Sequence, residues 1–128
     1  MPYKYSIDTS TKTVYFAATG VFSSEELFSC IVDVFEDPLF QPGFKHLVDM
    51  SALEDNFPST DELHERIRAD KQSLDLFGNT KIAFIAPPSS PVAYEMLRLY
   101  ITMMGDTSIE MEIFDNAYEA RQWLELAE

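Results

Sequence analysis

The stretch Lys81-Ile82-Ala83-Phe84-Ile85-Ala86-Pro87 decides the fold. Ile82 to Ala86 are consecutive apolar residues, too few for a helix and rich in β-branched or aromatic side chains. A run without alternation predicts a strand covered on both faces, as central parallel strands are. The segment Pro91 to Met104 follows, with Val92, Met96, Leu97, Leu99, Tyr100, Ile101, Met103 and Met104. These are apolar around more than one face, which predicts a helix buried on several sides or meeting a partner. A buried strand feeding a greasy helix is the signature of an α/β architecture.

Outward from that core, Tyr3, Tyr5 and Ile7 alternate with Lys4, Ser6 and Asp8, a half-buried strand. Asp8-Thr9-Ser10-Thr11 is turn chemistry, and Thr13 to Thr19 predicts a second strand that closes an antiparallel hairpin. Ser23 and Glu26 stand at capping-box spacing ahead of Leu27, Phe28, Ile31, Val34 and Phe35, so residues 24 to 36 form the first helix. Asp37-Pro38 stops it. Pro42-Gly43 is a turn and Phe44 to Met50 a third strand, followed by an acidic loop from Ser51 to Pro58. A second helix starts at Ser59 or Thr60, buries Leu63, Ile67, Leu74 and Phe77, and ends at Gly78-Asn79. After the third helix, roughly 91 to 104, Ile109, Met111 and Ile113 alternate with Glu110 and Glu112 in a fifth strand. Asn116 and Glu119 cap a last helix that buries Ala120, Trp123, Leu124 and Ala127. The order is β-β-α-β-α-β-α-β-α, a mixed sheet of about five strands with four helices. No linker or repeat divides residues 1–128, which read as a single domain.

Composition narrows the function. Net charge is −13, from 22 acidic against 9 basic residues. A surface this negative repels phosphate backbones and anionic lipid headgroups, which argues against nucleic-acid binding. Cys30 is the single cysteine, so no internal disulfide forms. It lies beside Leu27, Ile31 and Val34 and reads as a small core residue. Met1-Pro2-Tyr3-Lys4-Tyr5 lacks the basic start and apolar core of a signal peptide, and Glu95, Arg98 and Asp106 interrupt the most apolar region. The expectation is a cytoplasmic protein without integral membrane association.

Residues able to do chemistry are sparse. Asp49 stands at the carboxyl end of the third strand, where open α/β sheets collect ligands. The acidic pair and the lysine that a phosphoacceptor aspartate needs beside it do not follow the first and fifth strands, so a hydrogen bond near Ser51 is the better reading. Asp61, His64 and Glu65 have roughly the helical spacing of metal ligands, but acids in a first turn answer the helix dipole, and a solvated acidic face is expected. No Gly-x-Ser-x-Gly or glycine-rich phosphate loop occurs among four glycines. Pro87-Pro88-Ser89-Ser90-Pro91 lacks the amide donors of an anion site and reads as a rigid corner. No catalytic group, metal or cofactor is expected. The least ordinary feature is the Met-rich third helix, because methionine suits adaptable apolar contacts.

Several pieces in this order resemble the SpoIIAA-like, STAS-type family. They are Thr19-Gly20-Val21-Phe22-Ser23-Ser24-Glu25-Glu26, the Asp37-Pro38 to Pro42-Gly43 turn, Leu47-Val48-Asp49-Met50-Ser51, Lys81 to Ala86, and Phe114-Asp115-Asn116-Ala117-Tyr118-Glu119-Ala120-Arg121-Gln122-Trp123-Leu124. The resemblance spans nearly the whole chain. It implies a small non-enzymatic α/β domain related in fold to anti-sigma-factor antagonists and to CRAL-TRIO lipid-transfer domains. In the antagonists a serine opening the helix after the third strand is phosphorylated; Ser59 is the nearest equivalent here. The surrounding Asp55-Asn56-Phe57-Pro58-Ser59-Thr60-Asp61-Glu62 lacks the family glycine and has a longer loop, and helix capping accounts for Ser59.

The sequence therefore points to a STAS-like interaction module that self-associates, as a homodimer for instance, or binds a regulatory protein. The expected contact surface is Tyr94, Met96, Leu97, Tyr100, Ile101, Met103 and Met104, together with Asp49, Ser51, Phe57 and Ser59 in and after the third strand. The alternative is a carrier of a small apolar, lipid-like ligand held between sheet and Met-rich helix, and an enzyme using Asp49 comes third.

Overall fold

The structure, a computed structural model, describes residues 3–20, 24–53, 60–86, 91–105 and 107–126. In chain order the elements are β1 (Tyr3–Asp8), β2 (Thr13–Gly20), α1 (Ser24–Glu36), β3 (Lys45–Leu53) and α2 (Thr60–Gln72). They continue with α3 (Leu74–Phe77), β4 (Thr80–Ile85), α4 (Pro91–Met103), β5 (Ile109–Phe114) and α5 (Ala117–Trp123). The sequence pattern predicts one helix where α2 and α3 stand. The backbone leaves helical geometry at Ser73 (φ −108°, ψ 18°), whose N–H bonds to Asp70 O. Leu76 N–H and Phe77 N–H then turn back onto Ser73 O, and the new direction buries Phe77.

The five strands lie in the order β1-β2-β3-β4-β5. β1 runs antiparallel to β2, with Tyr5 opposite Phe16 and Ile7 opposite Val14, and every later pair is parallel. Each crossover therefore steps the same way across the sheet. Right-handed crossovers that never change direction must stack their helices on one face. So Leu63 and Ile67 of α2, Phe77 of α3, and Leu97 and Met104 at α4 share a core with Ile82, Phe84, Ile109 and Ile113. α1 joins that face through Val34 and Phe35, which pack beside Val14 and Phe44.

The other face belongs to α5, whose Ala120 and Leu124 close on Leu47, Ala83 and Ile85. β4 is thus buried on both sides, Ile82 and Phe84 toward one core and Ala83 and Ile85 toward the other, which accounts for its unbroken apolar run. Cations pin α5 down. Lys45 Nζ donates to Leu124 O at the helix C-terminus, where positive charge is favoured. Lys81 Nζ stands 5.2 Å from the Trp123 ring centroid, and the Arg121 guanidinium lies 5.5 Å from that of Tyr15. Asn116 caps the start of α5 by accepting from Glu119 N–H at 2.9 Å, as its spacing predicts.

At the amino-terminal end of the central strands, Gly43 N–H donates to Phe77 O at 2.8 Å and brings two turns together. Gly78 has φ 73°, and a Cβ there would lie 2.6 Å from Gly43 N. Only glycine fits.

Candidate functional site

Asp49 lies in β3 between Ala17 of β2 and Ile85 of β4. Its Oδ1 accepts from Ser51 N–H at 2.9 Å and from Ser51 Oγ at 2.6 Å. One carboxylate oxygen is thereby committed within β3, where the register against β2 shifts between Ala17 and Thr19; Ser51, expected to open a loop, continues the strand, which runs to Leu53. The ligand crevice of an open α/β sheet forms where strand order reverses and successive helices diverge to opposite faces. Here the order never reverses among the described strands, so β3 does not end at such a switch point.

The residues expected to form one contact surface are divided between the two faces. Strand alternation puts Asp49 on the side of Leu47, toward α5, whereas α4 packs on the opposite side. On α4, Leu97 is buried, as is Met104 just past its end, Met96, Tyr100, Ile101 and Met103 are half-buried against the same core, and Tyr94 is exposed. The outward side carries Tyr94, Glu95, Arg98 and Thr102. Arg98 there donates to Tyr94 Oη at 2.9 Å, stacks over the Tyr94 ring at 5.4 Å, and reaches Glu112 of β5 at 3.7 Å. Phe57 and Ser59 lie outside the described residues, as do the Ser23 cap and Pro87 to Ser90 of the proline corner.

Asp61, His64 and Glu65 are exposed on α2. Among the described residues no group of three or more His, Cys, Asp or Glu side chains is placed to hold a metal ion, and no helix is long and apolar enough to cross a membrane. Cys30 is 1% exposed. Burial first, then Asp33, pushes its thiol up to about 12, with Arg66 pulling the other way. Such a thiol is inert as a nucleophile.

Two buried polar groups have no counterpart in the sequence reading. His46 of β3 sits with its ring 5.9 Å from Phe40 and 5.8 Å from Phe77, and its Nε2 finds no hydrogen-bond partner among the described residues. Burial alone drives its pKa down to about 4, so the ring is neutral at physiological pH. Asp70 of α2, only 3% exposed, accepts from Arg66 Nε at 3.1 Å, from Arg66 Nη2 and from Tyr100 Oη of α4. Burial raises the Asp70 pKa against the opposing pull of Arg66 and Tyr100. Burial also raises that of Tyr100, as does the Asp70 charge. The signal for Asp70 was available in sequence: it stands seven residues after Leu63 and three after Ile67, on their buried stripe, with Arg66 one turn earlier.

An open mixed sheet in sequential order, with its crossover helices on one face and a closing helix on the other, defines the class of fold. This is a SpoIIAA-like fold. The chain aligns over 95% of its length with 93% of an uncharacterised protein of the DUF3478 family from Shewanella loihica PV-4, whose crystal structure has a SpoIIAA-like fold, at a TM-score of 0.61 and 17% identity. No family model matches the chain, and no curated protein matches it in sequence.

Proposed function

We propose that this protein is a non-catalytic STAS-like interaction module that self-associates or binds a regulatory protein through α4 and the loops beside it. The observation that carries this reading is the surplus of apolar side chains on α4. Ala93, Leu97 and Met104 fill its buried contact, yet Met96, Leu99, Ile101 and Met103 keep part of their surface in water. Flexible thioethers on a half-covered helix suit contact with another macromolecule. Three described side chains with chemical potential are consistent with this view. Asp49 is bonded to Ser51 within β3, Asp70 ties two helices, and His46 is enclosed by phenylalanine rings.

The apolar-carrier alternative fares less well, since the chain's own Phe84, Leu97, Met104, Ile109 and Ile113 pack together where sheet and α4 meet. Native mass spectrometry of freshly purified protein, followed by denaturing mass on the same sample, separates the readings. A dimer of unmodified mass, converted to stable monomer by Met103→Asp, supports self-association through α4. A monomer carrying an adduct that disappears on denaturation restores the carrier. An enzymatic role would require an activity lost in Asp49→Asn with the fold intact.

A further inference from the structure

Strand β5 ends the sheet, and β4 is its one partner among the described strands. In a strand the N–H and C=O of one residue face the same edge and those of the next residue face the other; Phe114 O faces β4, where it accepts from Ala86 N–H at 3.1 Å. Ile113, Met111 and Ile109 therefore turn their backbone groups outward. Two of these three amides reach acceptors supplied by nearby side chains. Ile109 N–H contacts Thr107 Oγ1 at 3.4 Å, and Ile113 N–H contacts Glu112 Oε1 at 3.0 Å. Neither acceptor is locked in the core: Thr107 is half-buried, and the Glu112 side chain is 43% exposed. The middle amide, Met111, lies between them.

Side chains along this edge alternate in a way that specifies what fits it. Ile109, Met111 and Ile113 face the α4 side, whereas Glu110 and Glu112 stand on the other. A second copy is a poor match. Antiparallel pairing centred on Met111 sets Glu110 of each chain opposite Glu112 of the other, and neighbouring in-face registers pair glutamates too. Like charges directly opposite are unfavourable, and both chains carry −13. A strand with lysine or arginine at alternate positions and apolar residues between them is complementary on both faces. Its cations would take over the place of Arg98 on Glu112, now held at 3.7 Å. The opposite edge, β1, carries Lys4 in place of a glutamate and lacks this complementarity. We propose that the free edge of β5 accepts an extended basic segment of a partner protein as an added strand, with Glu112 as the group that guards and then receives it. This surface borders α4, sharing Met111 and the Arg98–Glu112 contact with it, but it is built on the backbone of β5, so its test does not depend on α4 being an interface.

The probe is a synthetic peptide of about eight residues, a typical strand length, in which lysine alternates with valine. It is titrated into the full chain while backbone amide shifts and hydrogen exchange are followed. The expected result is slowed exchange at Met111 and Ile113, with the amides of β1 unchanged, and binding about tenfold weaker in Glu110→Gln/Glu112→Gln. A control peptide with proline in place of valine cannot donate to the edge. Equal binding by that control, or protection that misses Met111, would mean diffuse charge attraction and overturn the proposal. Dimerisation of Glu112→Gln without any peptide would overturn it as well, by naming a second copy as the occupant. The exchange map is read on the unaltered protein, so a misfolded variant does not blunt the test.

Discussion

Tyr100 on α4 donates its phenolic hydrogen to the Asp70 carboxylate on α2, joining two helices on one face of the sheet. Asp70 is also gripped by Arg66 one turn earlier, and the Tyr100 ring packs edge-on against Phe84 with centroids 6.1 Å apart. A charge this deep is tolerable only because both of its oxygens have partners.

Removing the acceptor should be severe. Asp70→Ala leaves Arg66 without its buried partner, and a loss of about 3–5 kcal/mol is expected, against about 1.5–3 kcal/mol for Tyr100→Phe. Urea unfolding of the two single variants and the double variant measures this, and the combined loss should fall short of the sum because the residues share one network. Strict additivity would mean that the bond does not form in solution.

His46 makes stability depend on pH with a definite sign. Its folded pKa, about 4, lies below the ordinary 6.5, so between these values the unfolded chain binds the extra proton. Stability contributed by the neutral ring is complete above about pH 6.5 and is lost as pH falls toward 4, by at most about 3 kcal/mol. Asp70, raised by burial, works in the opposite direction above its ordinary value, losing stability as pH rises. His46→Leu isolates the histidine: the unfolding midpoint should lose its decline between pH 6.5 and 4. An unchanged decline would assign it to other groups.

Gly78 and Gly43 both have positive φ, but they should respond differently to alanine. A Cβ at Gly43 has its nearest neighbour at 3.9 Å, whereas one at Gly78 meets Gly43 N at 2.6 Å. Gly43→Ala should lose about 1 kcal/mol to backbone strain alone, and Gly78→Ala clearly more, because backbone must also move. Thermal midpoints of the two variants compared side by side provide the check.

The docking of α5 can be followed from its own tryptophan. Lys81→Met removes the cation 5.2 Å from the Trp123 ring and should shift Trp123 emission while costing about 0.5–1 kcal/mol. Lys45→Met removes the donor to Leu124 O and should speed amide exchange near the α5 C-terminus, leaving that of α1 unchanged. Unaltered emission in Lys81→Met would place the ammonium in bulk water.

Much of the architecture was legible because patterning along a strand or helix is a local property. Consecutive apolar residues at Ile82 to Ala86 could only be a strand with two covered faces, and Asn116 with Glu119 marked the start of α5. The break at Ser73 was less visible, since Leu74 and Phe77 continue an apolar stripe that both one helix and two would satisfy. Asp70 and His46 were present in the pattern, but their partners are distant in sequence: Tyr100 is thirty positions from Asp70, and Phe77 thirty-one from His46.

By itself, then, the sequence determined the kinds and order of the elements, the acidic surface and the SpoIIAA-like character, because periodicity, caps and charge are written in neighbouring residues. Only the tertiary structure decided that the strands run in sequential order with α1 to α4 on one face and α5 on the other. That arrangement puts Asp49 and α4 on opposite sides of the sheet and leaves Glu110 and Glu112 along an open edge. Such relationships depend on which strands pair and which way the crossovers turn, and they emerge only when segments far apart in the chain are brought into contact.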